Sequence, residues 1–151
     1  MKNLETSRLL LRKVTLNDLD GLFENWGSDE NTTKFLTFNT HQTKEETKKF
    51  INNWIKKYQN NGLEWVIELK SNNKVIGMIS ADKSYKYKCF EIGYSLSSLY
   101  WGQGLATEAI TEIIKYLFGE CDCNVVEAII PSNNIGSIKV IKNVGWFLKQ
   151  H

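Results

Sequence analysis

The chain has 151 residues, 42% hydrophobic and 12% aromatic, the make-up of one globular unit with room for a core and not of a disordered chain. Its 19 basic and 17 acidic residues leave a net charge of +2, which excludes nucleic-acid binding driven by bulk charge but leaves a local anion site open. No apolar run spans a bilayer, and Arg8 and Arg12 interrupt the opening MKNLETSRLLLRKV; neither a membrane helix nor a signal peptide is expected, and a cytoplasmic location is the simplest expectation.

RLLLRKV (8–14) predicts a strand. Thr15 and Asp18 resemble a capping box, opening a helix with Leu19, Leu22, Phe23 and Trp26 on one face and Gly27 as its stop. DENTTKFL predicts a short helix, with a loop at 37–42. Thr43 and Glu46 form a second box, and the helix after it carries Phe50, Ile51, Trp54, Ile55 and Tyr58 on one stripe. EWVIELK and VIGMISADK predict a hairpin around SNNK. KCFEIGYSLSS predicts a third strand, alternating Phe90, Ile92, Tyr94 and Leu96 with Glu91, Gly93 and Ser95. LATEAITEIIKYLFG predicts a helix, NVVEAII a strand, and NNIGSIKVIKNVG a last helix opening at Asn134 and stopping at Gly145. The order β, α, α, β, β, β, α, β, α reads as a mixed sheet with helices packed on it, its strand–turn–helix–strand unit at 90–131 making a right-handed crossover to a parallel neighbour.

Cys89, Cys121 and Cys123 are odd in number and not spaced as a disulfide framework. His41 and His151 are the only histidines, so no tetrahedral metal set is expected and the cysteines read as structural thiols. The stripe of the second long helix reads mainly as core, and Trp26, Phe35, Phe38 and Trp54 either fill that core or line a pocket.

The stretch LYWGQGLATEA (99–109) places two glycines at the join of a strand and a helix. The first N–H groups of a helix lack an intrahelical partner, glycines remove the Cβ atoms that would block a ligand, and the peptide dipoles favour an anion there. Three readings follow. The turn holds no ligand; or it is a dinucleotide site with Gly102 and Gly104 in the first two glycine positions, Thr107 in the third and Glu127 as the ribose acid; or it holds the diphosphate of an acyl-CoA. No G-K-[ST] is present to make it a nucleoside-triphosphate loop.

The third reading rests on a resemblance. WGQGLA (101–106) resembles the pyrophosphate motif Arg/Gln-x-x-Gly-x-Gly/Ala of the GNAT superfamily of N-acetyltransferases, with Trp101 in place of the usual first residue. YWGQGLATEA looks like the form used by the branch that acetylates ribosomal-protein N-termini. TSRLLLRKVTLNDLDGLFEN, FEIGYSL and NVVEAIIPSNNIGSIKVIKNVGW resemble that branch's opening strand and helix, fourth strand, and fifth strand with last helix, in order and over essentially the whole chain. The resemblance implies the GNAT fold in one domain, 1–151: an α/β (α+β) architecture with a mixed, mostly antiparallel central sheet, helices on both faces and a splayed pair of parallel strands.

It also implies acetyl-CoA as cosubstrate, direct attack of a primary amine on its thioester, and a protein N-terminus or small molecule as acceptor. The backbone of Tyr94, Ser95 and Leu96 is expected to pair with the pantetheine, the N–H groups of Gly102, Gln103, Gly104, Leu105, Ala106 and Thr107 to hold the diphosphate, and Asn134 to contact CoA. Glu91, on the strand beside the cleft, is the first candidate for the base and Glu127 the second. A backbone N–H of the 94–96 stretch is expected to stabilise the oxyanion. Ile141 stands where many relatives carry a tyrosine, and Ser137 matches the serine of the ribosomal-protein branch, expected to stabilise the departing thiolate. Gly104→Val is expected to obstruct the coenzyme sterically.

Only FLKQH follows Gly145 and Trp146, where relatives continue through two more strands. A C-terminally short domain is therefore expected to expose the NVVEAII strand as a sheet edge and to dimerise through it or be marginally stable. The alternative to an enzyme is a catalytically inactive CoA-binding or interaction protein of the same fold.

Overall fold

A computed structural model describes residues 1–36, 38–128, 130 and 134–143. The expected stop at Gly145, Pro131 and the closing FLKQH lie outside the described residues.

Strands β1 (Leu4–Glu5), β2 (Leu9–Arg12), β3 (Leu63–Leu69), β4 (Lys74–Lys83), β5 (Cys89–Leu96) and β6 (Val125–Ala128) form one sheet in that spatial order. All neighbours are antiparallel except β5 and β6. The antiparallel neighbours need only short connections, whereas the parallel pair needs a crossover, supplied here by helix α4 (Leu105–Glu120). The sequence gives no signal for strand β1; of the expected strand 124–130, β6 takes Val125–Ala128, with residues 124 and 130 outside it and residue 129 not among the described residues.

Alternation along the strands sends side chains to two cores. On one face Leu9, Leu11, Trp65, Ile67, Ile79 and Ile92 meet α4 through Leu105, Ala109, Ile110, Ile113 and Leu117. On the other, Val66 and Met78 meet Leu22, Trp26 and, from helix α3 (Lys44–Tyr58), Ile51 and Trp54. Each such aliphatic side chain, fully buried, contributes about 1.5–3 kcal/mol of transfer free energy. Glu46 sets the start of α3 by reaching back to the Gln42 N–H at 2.5 Å. Helix α5 (Ile135–Asn143) packs on α4.

The helix expected after Thr15 is present and ends at Gly27 as expected, but it is not one regular α-helix. Asp18 does accept from the Thr15 N–H at 2.9 Å, but the segment is a 3-10 turn (Leu16–Asp18), one α turn α1 (Leu19–Leu22) and a π turn (Phe23–Gly27). The wider turn accompanies a tertiary contact: buried Trp26 donates its indole N–H to the Ser95 hydroxyl at 3.1 Å. A short helix α2 (Glu30–Thr33) follows, capped by Asp29, whose carboxylate accepts from the Asn31 N–H at 3.2 Å.

Candidate active site

Among the described residues β6 pairs with β5 from Cys89 opposite Val125 to Ile92 opposite Ala128. β5 continues to Leu96, still paired on its other side with β4, where Leu96 faces Gly77. Beyond Ile92 the edge of β5 opens onto a cleft of about 800 Å³. Of the residues singled out in the sequence, Tyr94, Ser95 and Leu96 line it from β5, and Asn134 and Ser137 from α5. Gly102, Gly104, Leu105, Ala106 and Thr107 line it from the glycine turn. Gln103 and Glu91 do not line it.

The glycine turn has the conformation that only glycine takes at low cost. Gly102 and Gly104 both lie at φ +77°, in the left-handed region. Gly104 precedes α4 directly, and no side chain caps the helix, so the N–H groups of Leu105, Ala106 and Thr107 have no acceptor within it. A Cβ on Gly102 would meet nothing within 4 Å, so the turn is open on that side. These features fit a diphosphate: donors gathered at the positive end of a 16-residue helix with no side chain in front of them. Trp101, which departs from the family motif, has its own task. Its indole N–H donates to the Leu96 carbonyl at 2.8 Å and ties the turn to the end of β5.

Two contacts set the opposite wall. Asn134 caps α5: its Oδ1 accepts the Ser137 N–H at 3.2 Å, which leaves its amide NH₂ unspent by the cap. The Tyr94 hydroxyl donates to the Ser137 carbonyl at 3.3 Å and joins β5 to the first turn of α5. Burial pushes the Tyr94 phenol above its ordinary value, so it remains a donor.

The two carboxylate candidates differ. Glu91 and Glu127 face each other across the parallel ladder, and Asp82 faces Glu91 from β4, so all three share one side of the sheet. Glu127 is ion-paired with Lys86 at 2.7 Å. Glu91 is exposed, two residues from Gly93 on the same face, and Gly93 lines the cleft. The same ion pair engages the carboxylate that the dinucleotide reading assigned to the ribose.

The α3 side of the cleft is aromatic. Trp26, Phe35, Phe38, Phe50 and Trp54 line it, so the expected alternatives coexist: Trp26 is 2% exposed and packs in the core while touching the cleft. Phe38 stacks on His41 at 5.0 Å, and the His41 Nδ1 shares a hydrogen bond of 2.7 Å with the Thr47 hydroxyl. Burial lowers the His41 pKa, so the imidazole packs behind this wall, on Phe38, as a neutral group.

Glu64, unremarked in the sequence, shares this face of the sheet. It pairs with Ser80 across the β3–β4 ladder and is fully buried. Neither carboxylate oxygen has a hydrogen bond among the described residues; the Lys57 ammonium stands 3.4 Å from Oε1, within ion-pair reach but without hydrogen-bond geometry. Burial pushes its pKa up to about 7, Lys57 opposing and Asp82 reinforcing the rise. The folded state therefore binds this proton more tightly than the unfolded chain, and its contribution is complete below the ordinary carboxyl value and lost as pH rises through 7. Stability should fall by about 3 kcal/mol between pH 4 and pH 8 on this account. Glu64→Gln should abolish that part of the slope in urea denaturation at a series of pH values, and an unchanged slope would remove Glu64 as its source.

Residues 8–146 match the family model described as acetyltransferase (GNAT) domain. The chain belongs to the GNAT acetyltransferase family. Its relatives include p20 of Bacillus licheniformis, named as an uncharacterized N-acetyltransferase, 31% identical over 97% of this chain and 83% of that protein. YoaA of Bacillus subtilis, similarly named, is 28% identical over 95% of this chain and 81% of its own length. A GNAT-family acetyltransferase from Bacillus anthracis superposes with a TM-score of 0.84 at 26% identity, over 95% of this chain and 82% of that one. The GNAT fold, with helices on both faces of a mostly antiparallel sheet and one parallel pair, is thus as expected, and the family reaction is acetyl-CoA-dependent acetylation of an amine.

Proposed function

We propose that this chain acetylates a primary amine that enters on the aromatic side of the cleft while acetyl-CoA lies between β5 and α5. One observation carries the reading: the edge of β5 from Gly93 to Leu96, the glycine turn and the start of α5 line one cleft. That edge offers the backbone of Tyr94, Ser95 and Leu96 to a pantetheine as an added strand would pair. The N–H groups of the turn and of Leu105, Ala106 and Thr107 receive the diphosphate, with Gln103 contributing its backbone alone. The Asn134 amide, not needed as a donor by its own cap, faces the coenzyme.

Acetyl-CoA supplies the activated acyl carbon. A lysine-type amine has a pKa near ~10.4 and an α-amino group near ~8, so either arrives mostly protonated and has to lose a proton to react. Glu91 accepts that proton through water, which its place one pair beyond Gly93 requires. Nitrogen bonds to the thioester carbon, the C–S bond breaks, and a backbone N–H of the 94–96 stretch holds the charge on the carbonyl oxygen. The Ser137 hydroxyl stabilises the departing thiolate by a hydrogen bond.

Isothermal titration with acetyl-CoA, CoA and NAD, followed by turnover on an amine panel, tests the reading. One-site binding of acetyl-CoA without NAD heat, and turnover of at least one amine, is expected. Binding without turnover on any amine assigns the chain to the inactive CoA-binding alternative; no CoA binding by a folded sample overturns the site.

A further inference from the structure

The glycine turn is held from outside the cleft by a residue of the opening segment. Arg8, 45% exposed in its side chain, donates from Nη1 to the Gln103 carbonyl at 3.0 Å. Its Nε donates to Glu108 Oε1 at 2.9 Å, and its backbone N–H to Glu108 Oε2 at 3.1 Å. The Thr6 hydroxyl donates to the same Oε2 at 2.5 Å and accepts the Leu9 N–H at 3.0 Å. Glu108 is in the first turn of α4, so the guanidinium spans the helix start and the loop before it. Arg8 and Thr6 hold the Glu108 carboxyl below its ordinary value against the opposing effect of burial, so it stays charged.

A peptide unit is planar and trans, so its C=O and N–H point in opposite directions. Drawing the Gln103 carbonyl toward Arg8 sends the Gly104 N–H the other way. Arg8 does not line the cleft and Gly104 does, so that way leads to the cleft. The peptide needs such restraint because Gln103 stands between Gly102 and Gly104, both left-handed and both without a side chain to resist a flip. A flipped unit would present a carbonyl oxygen to the diphosphate in place of a donor.

We propose that Arg8, seated by Glu108, is a positioning residue that fixes the Gln103–Gly104 peptide with its N–H toward the coenzyme diphosphate. The proposal rests on the acetyl-CoA reading of this cleft and assigns a task to a residue 95 positions from the turn it controls. The guanidinium acts through its fork: one nitrogen on the carboxylate, another on the carbonyl. A lysine ammonium on a flexible stem lacks that rigid pair of donors.

The test compares acetyl-CoA with acetyl-pantetheine, which carries the thioester and no diphosphate. Arg8→Gln should raise Kd and KM for acetyl-CoA about tenfold or more, the scale of one charge-assisted hydrogen bond, with saturated kcat within about twofold. The KM for acetyl-pantetheine should not move. Glu108→Gln should give the same split, and the double variant should cost less than the sum of the two, because both act on one peptide. Arg8→Lys preserves charge and stem and serves if Arg8→Gln does not fold; it should still lose several-fold in acetyl-CoA affinity. An unchanged acetyl-CoA Kd in a folded Arg8 variant overturns the proposal. So does an equal rise in KM for acetyl-pantetheine, which would make Arg8 a general support of the cleft. Failure of the unaltered protein to bind acetyl-CoA is a different result and overturns the function on which the proposal rests.

Discussion

Gly104→Val should weaken acetyl-CoA binding by about ten- to a hundredfold in a protein that still folds. Within the protein a Cβ at this position would meet only the Arg8 Nη2 at 3.6 Å, an ordinary contact, so to the obstruction of the coenzyme expected from the sequence the turn adds a conformational cost. Gly104 lies at φ +77° and ψ 7°, where a β-branched residue is a severe outlier. Holding a non-glycine residue there costs about 1–3 kcal/mol, and the chain avoids that cost by rotating the turn away from the helix axis. Rotation disperses the N–H groups that the diphosphate needs, and each ~1.4 kcal/mol appears as a factor of ten in Kd. Gly104→Ala should lie between the two, because alanine tolerates the left-handed region better than valine does. Titration calorimetry of the three proteins with CoA gives the ranking, and circular dichroism confirms that the fold persists. Equal Kd values for glycine and valine would place the diphosphate elsewhere on the molecule.

The same turn shows what a sequence can and cannot disclose. Glycine spacing, a preceding strand and a following helix are local signals, and they located the wall of the cleft to within a residue. The stripe of Phe50, Ile51, Trp54, Ile55 and Tyr58 was equally legible, since period and capping box agree on one helix. The helix after Thr15 was not legible in detail. Its local pattern is helical, but the contact from Trp26 to Ser95 across the fold favours a π turn, and no short window contains both residues. Arg8 and Glu108 were hidden for a related reason: they are 100 residues apart, and only the sheet order brings β2 to the start of α4. Glu64 was half visible. Its alternation with Val66 places it on the inner face of β3, yet glutamate's usual preference for solvent argued the other way.

Glu91→Gln should lower kcat by roughly 10²-fold, the ordinary scale of general-base assistance, and should leave acetyl-CoA affinity unchanged. Position and availability single out this carboxylate. Glu127, directly opposite on β6, is engaged by Lys86 at 2.7 Å, and a proton on it would weaken that ion pair. Glu64 is sealed in the core beside Lys57. Glu91 is exposed, on the face of the sheet that also presents Gly93 and Ser95, and Ser95 meets Trp26 at the aromatic wall of the cleft. Glutamine keeps the size of the side chain and removes its ability to take the proton, so the loss should be largest near neutral pH, where few acceptor amines arrive neutral. As pH approaches the pKa of the amine, free amine accumulates without help and the gap between the two proteins should close. The diagnostic measurement is therefore a kcat profile against pH for both proteins with one amine. A constant ratio would mean that Glu91 orients the acceptor, and matching profiles would remove it from the reaction.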